Sequence, residues 1–208
     1  MLNNYYNNVL AKFHVESMPL ERPSRQHVSV VLENPRRGVF PGSFNPLTIA
    51  HLEVARRARQ KHDLDEVHLV VSNVALDKPT PPGPSFEERV ALLAADASEF
   101  DWLHVSTTED QLIVDIASGF DVVIMGADKW QQVHDVRYYE SDAERDSAVA
   151  RLPQVVVAQR GTGEVPDELK LETPAELHEI SSTRARAGER NLMAPHAAAS
   201  WIDLPDAT

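Results

Sequence analysis

Thr48 and His51 are the residues whose types and spacing most directly suggest chemistry. They lie three positions apart, directly after a run of turn-forming residues from Gly42 to Pro46. If they open an α-helix they share one face, so a hydroxyl and an imidazole would point at the same ligand. The first turn of a helix also offers unpaired backbone N–H groups and the positive end of the helix dipole. The pair therefore predicts an anion site, most simply a site for phosphate.

The elements on either side of the turn must hold this pair in place. Val39 and Phe40 form a short apolar run that can be a buried strand. From Thr48 onward the apolar residues are spaced as in a helix, which makes Thr48 the predicted N-cap. These apolar residues are Ile49, Leu52 and Ala55. We also expect Glu53 to lie early in the helix, where the dipole favours an acid.

Downstream of this unit, buried-strand patterns alternate with helical patterns. Further strands are predicted over 66–72, 102–106, 121–126, 154–158 and 177–180. Further helices are predicted over 111–117, 143–152, 182–188 and 195–202, with one more beginning at Ser85 in a capping-box pattern. The alternation predicts an α/β fold with a doubly wound parallel sheet of Rossmann type. We expect residues 1–36 to be an N-terminal extension of unknown role and residues 37–208 to form a single domain.

Composition argues against several classes of protein. The 208-residue chain has a formal net charge of −12, which disfavours general binding to nucleic acid or to an anionic membrane. It has no cysteine, so thiolate catalysis, disulfides and cysteine-based zinc sites are excluded. Its histidines are scattered and form no metal-ligand spacing. The sequence shows neither a membrane-spanning apolar run nor a signal-peptide pattern, so we expect a cytoplasmic protein, with a homo-oligomer possible.

The stretch from Gly42 to His51 resembles the signature of the nucleotidylyltransferase superfamily, G-[ST]-F-[DN]-P-x-[HT]-x-G-H. The threonine at position 48 is most similar to the pantetheine-phosphate branch of that superfamily. One position departs from the pattern, because Ala50 stands where the signature has glycine. Alanine keeps the position small but allows the backbone less freedom. The resemblance implies a nucleotide-binding role for residues of the strand and turn, namely Phe40, Gly42, Ser43 and Phe44.

Two later segments resemble parts of the same superfamily. The run from Ile180 to Arg186 resembles I-S-S-T-x-I-R, which implies that Ser182, Thr183 and Arg186 hold the outer phosphates of a triphosphate. Read alone, this run favours a plain capped helix with a solvated basic face; together with the first motif it favours a phosphate site, because both motifs carry phosphate chemistry in the expected order. Gly126 and Asp128 resemble the G-x-D after the fourth strand, which implies a close approach of the nucleotide to Gly126 and a ribose contact for Asp128. The alternative for Asp128 is an N-cap of the next helix.

The acceptor side of the site has weaker signals. Lys78 and Arg89 resemble a superfamily segment that contacts the acceptor, although a lysine in a proline-rich loop is commonly just solvated. In the nicotinate-mononucleotide branch a tryptophan stacks on the pyridine ring. Here Trp130 comes too soon after Asp128, and Tyr138 or Tyr139 is nearer that spacing.

The resemblance implies nucleotidyl transfer, in which an acceptor phosphate displaces pyrophosphate from ATP. His51, Thr48 and Arg186 are then the catalytic residues, and Mg²⁺ is bound mainly through the ATP phosphates. We favour nicotinate or nicotinamide mononucleotide as the acceptor, with phosphopantetheine second and a cytidylyltransferase third. The alternative from another class is a non-catalytic nucleotide-binding protein on the same fold.

Overall fold

Six strands form one all-parallel sheet in the computed structural model, which describes residues 34–74, 83–159 and 164–201. The strands are β1 (Arg37–Pro41), β2 (Glu66–Ser72), β3 (Leu103–Thr108), β4 (Val122–Gly126), β5 (Gln154–Ala158) and β6 (Lys170–Leu171). Their order across the sheet is β3-β2-β1-β4-β5-β6. This is the doubly wound Rossmann order, so the predicted fold class is confirmed.

Helices cover both faces of the sheet, because alternate strand residues point to opposite sides. The helices are α1 (Ile49–Lys61), α2 (Phe86–Ala97), α3 (Ile113–Ile116), α4 (Ala127–His134), α5 (Asp142–Val149), α6 (Ser182–Arg186) and α7 (Pro195–Ser200). Phe40 and Ile124 belong to a buried cluster shared with α1 and α2. Val39 and Met125 belong to a second cluster, shared with α3, α4 and α5.

Capping signals in the sequence set the starts of two helices. Thr48 is the N-cap of α1, as predicted. Ser85 is the N-cap of α2: its hydroxyl accepts from Glu88 N at 3.2 Å, and its N–H donates to the Glu88 carboxylate at 2.8 Å. This reciprocal pair is the predicted capping box. The predictions for the other helices and for strands β1 to β5 are confirmed with ends that shift by a few residues.

The predicted strand over 177–180 is wrong. The sixth strand is β6, and the chain from Ala175 to Leu177 forms a 3₁₀ turn instead. Leu177 and Ile180 are buried, but they pack in a third cluster with Ile49 rather than in the sheet. These two residues are therefore apolar because they are buried in this cluster, and not because they belong to a strand. β6 has only two residues, which are too few to give a pattern in the sequence.

Glu53 does not act on the helix dipole as expected. It is the fifth residue of α1 rather than a member of its first turn. Its carboxylate is fully buried and accepts hydrogen bonds from Arg56 Nε at 2.8 Å and Arg57 Nε at 2.6 Å. A buried charge is costly unless it is paired, so these arginines account for an acid at this position.

Asp96 is a second buried acid, and it ties α2 to the start of α7. Its carboxylate accepts from the backbone N–H of His196 at 2.8 Å and of Ala197 at 3.3 Å. Burial raises the pKa of Asp96 from 3.8 to about 6, although both hydrogen bonds and the charge of His196 favour the ionised form. The nearby charge of Glu99 adds to the increase.

We expect Asp96 to lower the free energy of unfolding as the pH rises. Its pKa is higher in the folded chain, so its stabilising contribution is complete below the unfolded pKa of 3.8 and is lost as the pH rises through about 6. Full titration should remove about 3 kcal/mol. Urea unfolding of the native protein and of Asp96→Asn, from about pH 4 to about pH 7.5, measures this contribution. If the difference in unfolding free energy between the native protein and Asp96→Asn stays constant or grows as the pH rises, the prediction is contradicted.

Candidate active site

A cavity of about 700 Å³ opens at the carboxyl ends of the strands. It spans the point where the strand order reverses, between β1 and β4, which is where sheets of this kind bind ligands. Eleven of the predicted site residues line this one cavity. They are Phe40, Gly42, Ser43, Phe44, His51, Arg89, Gly126, Asp128, Ser182, Thr183 and Arg186. Lys78 lies outside the described residues, and Thr48 is fully buried and does not line the cavity.

The β1–α1 turn (residues 42–48) forms one wall of the cavity. Phe44 has a φ of 42°, a left-handed conformation that is uncommon for a residue other than glycine. Its ring lies over Gly42, where an added Cβ would come within 2.8 Å of the ring. The ring also meets Phe40 at a centroid distance of 5.5 Å and His51 at 5.3 Å, both edge-on. Gly42 is therefore needed for the close approach of Phe44, which in turn packs against His51.

Thr48 fixes the orientation and tautomer of His51. The backbone N–H of Thr48 donates to His51 Nδ1 at 3.1 Å, and Thr48 Oγ1 lies 2.7 Å from the same nitrogen. A nitrogen that accepts this N–H carries no proton of its own, so the proton of the neutral ring is on Nε2. Because His51 lines the cavity and Thr48 does not, Thr48 acts on the site through the imidazole.

Helix α6 sits beside the turn and brings the second motif to the cavity. Ser182 Oγ donates to Pro46 O at 2.8 Å, and Arg186 donates to Asn45 O. Arg186 Nη2 also lies 3.4 Å from Thr183 Oγ1. Burial lowers the pKa of the Arg186 guanidinium from its ordinary value, which still leaves the group charged at neutral pH. The two motifs, more than 130 residues apart in sequence, thus meet in direct contact.

Gly126 and Asp128, at the end of β4, lie in close contact with each other. An added Cβ on Gly126 would come within 2.7 Å of Asp128 Oδ1, so glycine makes room for this carboxylate. Gly126 is the N-cap of α4, and no side chain caps that helix. The alternative of Asp128 as an N-cap is therefore wrong: Asp128 lies in the first turn and lines the cavity.

Arg89, in α2, supplies a second guanidinium to the cavity lining. Its guanidinium lies 5.5 Å from the centre of the Phe86 ring, and burial lowers its pKa from the ordinary value. Within residues 34–74, 83–159 and 164–201, Arg89 Nε is buried without a hydrogen-bond partner. A half-buried guanidinium with an unpartnered Nε is suited to an anionic ligand, because leaving a buried donor unmet costs free energy.

Comparison with known proteins supplies the family. The model of the family described as "Cytidylyltransferase-like" matches residues 39–188. The chain belongs to the cytidylyltransferase-like family. The family match spans every predicted site residue, and it confirms the resemblance to nucleotidylyltransferases.

Several relatives of this family member carry the name phosphopantetheine adenylyltransferase. A phosphopantetheine adenylyltransferase from Clavibacter michiganensis subsp. michiganensis is 33% identical over 159 residues, which is 74% of this chain and 84% of the relative. Another, from Corynebacterium diphtheriae, is 36% identical over 95 residues, 44% of this chain and 55% of the relative. A third, from Dinoroseobacter shibae, is 34% identical over 97 residues, 44% and 54% of the two chains. This chain thus spans about half the length of several curated relatives.

Solved structures support the fold of this family member. The nicotinic acid mononucleotide adenylyltransferase of Plasmodium falciparum complexed with APC gives a TM-score of 0.57 at 13% identity, over 81% of this chain and 95% of that one. The same enzyme complexed with NaAD gives 0.53 at 14% identity, over 74% and 83% of the two chains.

Loops, strand ends, the start of α2 and helix α4 add cavity residues that sequence reasoning missed. Those with polar side chains are Ser72, Asn73, Ser85, Gln111, Lys129, Gln132, Gln159, Thr173, His178 and Ser181. Ser72, Asn73 and Gln159 lie at the carboxyl ends of β2 and β5, where the rule for ligand binding in open α/β sheets could have found them. Tyr138 and Tyr139 line the cavity, whereas Trp130 is not part of the lining and packs against His134 at a ring distance of 4.2 Å.

Two negative findings concern the described part of the chain. It contains no group of three or more His, Cys, Asp or Glu residues that could hold a metal ion. None of its helices combines the length and the apolar character needed to cross a bilayer.

Proposed function

We propose that this protein is an adenylyltransferase that transfers AMP from ATP to the phosphate of a small-molecule acceptor and releases pyrophosphate. One observation carries this proposal: His51, with its ring fixed through Nδ1 by Thr48, lines the same cavity as Arg186 and Arg89. A donor of fixed direction in the same cavity as two guanidinium groups suits a phosphate whose charge increases during reaction.

In the proposed reaction, an oxygen of the acceptor phosphate attacks the α-phosphorus of ATP in line. The new P–O bond forms as the bond between the α-phosphorus and the bridging oxygen breaks, and pyrophosphate leaves with the electron pair. The acceptor phosphate is already an anion at neutral pH, so no side chain has to serve as nucleophile. Catalysis then consists of positioning and of neutralising developing charge. His51 Nε2–H would donate to the α-phosphate, and Thr48 would act as its positioning residue.

Different residues of the cavity lining would bind the two substrates. Arg186 and Thr183 would hold the outer phosphates of ATP, near the β1–α1 turn. Asp128 would accept from ribose hydroxyls, with Gly126 leaving space for its carboxylate. Arg89 would bind the acceptor phosphate, which would give the guanidinium the hydrogen-bond acceptor that its Nε lacks among the described residues. Lys78, predicted to share this role, lies outside the described residues.

Mg²⁺ would bind with ATP rather than in a preformed protein cage. The described residues provide no cluster of three ligands, and a single carboxylate in the cavity, such as Asp128, suits the sparse protein ligation that Mg²⁺ accepts when phosphates and water complete its shell. When bound, the ion would neutralise phosphate charge.

The preferred acceptor is nicotinate or nicotinamide mononucleotide. Tyr138 and Tyr139 support this choice, because they line the cavity near the spacing at which an aromatic ring can stack on a pyridine. Phosphopantetheine is the second candidate. Its support is the set of relatives named phosphopantetheine adenylyltransferase, one of them 33% identical over 159 residues.

A pyrophosphate-release screen tests the proposed reaction and its acceptor together. ATP and CTP would each be incubated with Mg²⁺ and with nicotinate mononucleotide, nicotinamide mononucleotide or 4′-phosphopantetheine. We expect release with ATP that depends on one class of acceptor, and loss of most of that release in His51→Ala. Pyrophosphate release with CTP and not with ATP would show instead that the protein transfers a cytidylyl group. No release in any combination would favour the non-catalytic nucleotide-binding alternative.

Ala50 provides a further prediction. It is the second residue of α1, lines the cavity and is 8% exposed. Because glycine is the family residue here, Ala50→Gly should keep or raise turnover, while the free energy of unfolding falls by about 0.5–1 kcal/mol. Steady-state kinetics and urea unfolding measure the two effects. Lower turnover with the true acceptor would show instead that the methyl group is adapted to that acceptor.

A further inference from the structure

The C-terminal segment from 182 to 194 holds the β1–α1 turn by its backbone carbonyls. Three consecutive carbonyls of the turn each accept a hydrogen bond from this segment. The bonds run from Arg186 to Asn45 O, from Ser182 Oγ to Pro46 O at 2.8 Å, and from Ala194 N to Leu47 O at 2.9 Å. Thr48 then pairs with Met193 in an antiparallel bridge. The turn that carries the first motif is therefore supported residue by residue by the chain around the second motif.

Ser182 has a special place in this arrangement because its hydroxyl has a single proton. That proton is directed to Pro46 O. Oxygens of an ionised phosphate accept hydrogen bonds and donate none, so Ser182 cannot donate to a phosphate while it holds the turn. Arg186 differs, since its guanidinium has five N–H donors and can bond Asn45 O and a phosphate together.

We propose that Ser182 is a positioning residue that fixes α6 against the β1–α1 turn, and that it does not itself bind the triphosphate. Its effect on ATP reaches the nucleotide through Arg186, which lies one helical turn further along α6. This inference rests on the proposed function in so far as ATP is taken as the nucleotide. The motif led us to expect that Ser182 contacts a phosphate directly. On this proposal Ser182 instead supports Arg186, and Arg186 contacts the phosphate.

A double-mutant cycle separates the two roles, because residues that act through one another are not additive. The variants are Ser182→Ala, Arg186→Ala and the double variant, with ATP dissociation constants measured by calorimetry. On the native background, Ser182→Ala should raise the ATP dissociation constant about fivefold to tenfold. On the Arg186→Ala background, the same change should raise it less than about twofold. Equal increases on both backgrounds would overturn the proposal and indicate a direct phosphate contact.

Two further measurements keep the test decisive. Ser182→Thr retains the hydroxyl, so it should bind ATP within about twofold of the native protein even if Ser182→Ala folds poorly. Hydrogen exchange should show faster exchange of amides around the β1–α1 turn in Ser182→Ala and not in Ser182→Thr; unchanged exchange in both variants would overturn the docking role. A native protein that binds no ATP at all would contradict the proposed function, and hydrogen exchange would then still decide whether Ser182 holds the turn.

Discussion

Replacing His51 with alanine should lower kcat by at least about 10²–10³, the usual loss for one preorganised donor to a developing charge. ATP affinity should fall by about tenfold or less, because an interaction made mainly in the transition state contributes little to ground-state binding. The structural reason is that Thr48 fixes the ring before any nucleotide binds, with Nδ1 accepting and the proton on Nε2. Single-turnover kinetics and nucleotide titration on the same preparation measure the two effects.

The control for His51 lies on the same helix. His62 is the C-cap of α1 and does not line the cavity, so His62→Ala should leave turnover within about twofold. Thermal melting of both variants separates catalysis from folding, since His51 also packs against Phe44 at 5.3 Å. Normal turnover in His51→Ala, or a loss that unfolding explains in full, would contradict the catalytic role.

Replacing Arg186 with alanine should weaken ATP binding by about 1.5–3 kcal/mol, the range for a hydrogen bond to a charged group. AMP lacks the outer phosphates, so its affinity should change by less than about threefold. Arg186 also bonds Asn45 O, so the variant should in addition lose part of the support that holds the β1–α1 turn in place. Calorimetric titration with ATP and with AMP measures the difference.

Arg184 is the matched control for this prediction. It lies on the same short helix, but its guanidinium bonds Glu189 at 2.7 and 2.6 Å and does not line the cavity. Arg184→Ala should therefore leave the affinities for ATP and AMP nearly unchanged. Equal losses of ATP and AMP affinity in Arg186→Ala would refute its assignment to the outer phosphates.

The sheet could be predicted from sequence because its signals are local. The run from Val122 to Gly126 is nearly all apolar and buried, and the pattern of Thr48 and Ser85 before apolar helices marks two helix starts. The last strand was mispredicted because Leu177 and Ile180 are apolar residues buried in a small third cluster and not in the sheet. A pattern of apolar residues reports that a residue is buried, and it does not say which neighbour covers it.

The site could be predicted to the level of its motifs, but not to the level of its hydrogen bonds. Sequence indicated that Thr48 and His51 share a helix face, yet it could not say that Thr48 would be fully buried behind the imidazole. It also placed Ser182 on phosphate, whereas the hydroxyl donates to Pro46 O, a residue 136 positions away. Cavity residues such as Thr173 and His178 come from loops, whose positions depend on tertiary contacts and carry no periodic signal.

The central claim is that AMP moves from ATP to an acceptor phosphate, and the most direct measurement follows the label of the nucleotide. ATP labelled at the α-phosphate, and in a parallel reaction at the γ-phosphate, would be incubated with Mg²⁺, protein and the acceptor found in the screen. Adenylyl transfer predicts that the α-label appears in the acceptor product and the γ-label in pyrophosphate, in equal amounts. A γ-label on the acceptor, or γ-label released only as inorganic phosphate, would contradict the account.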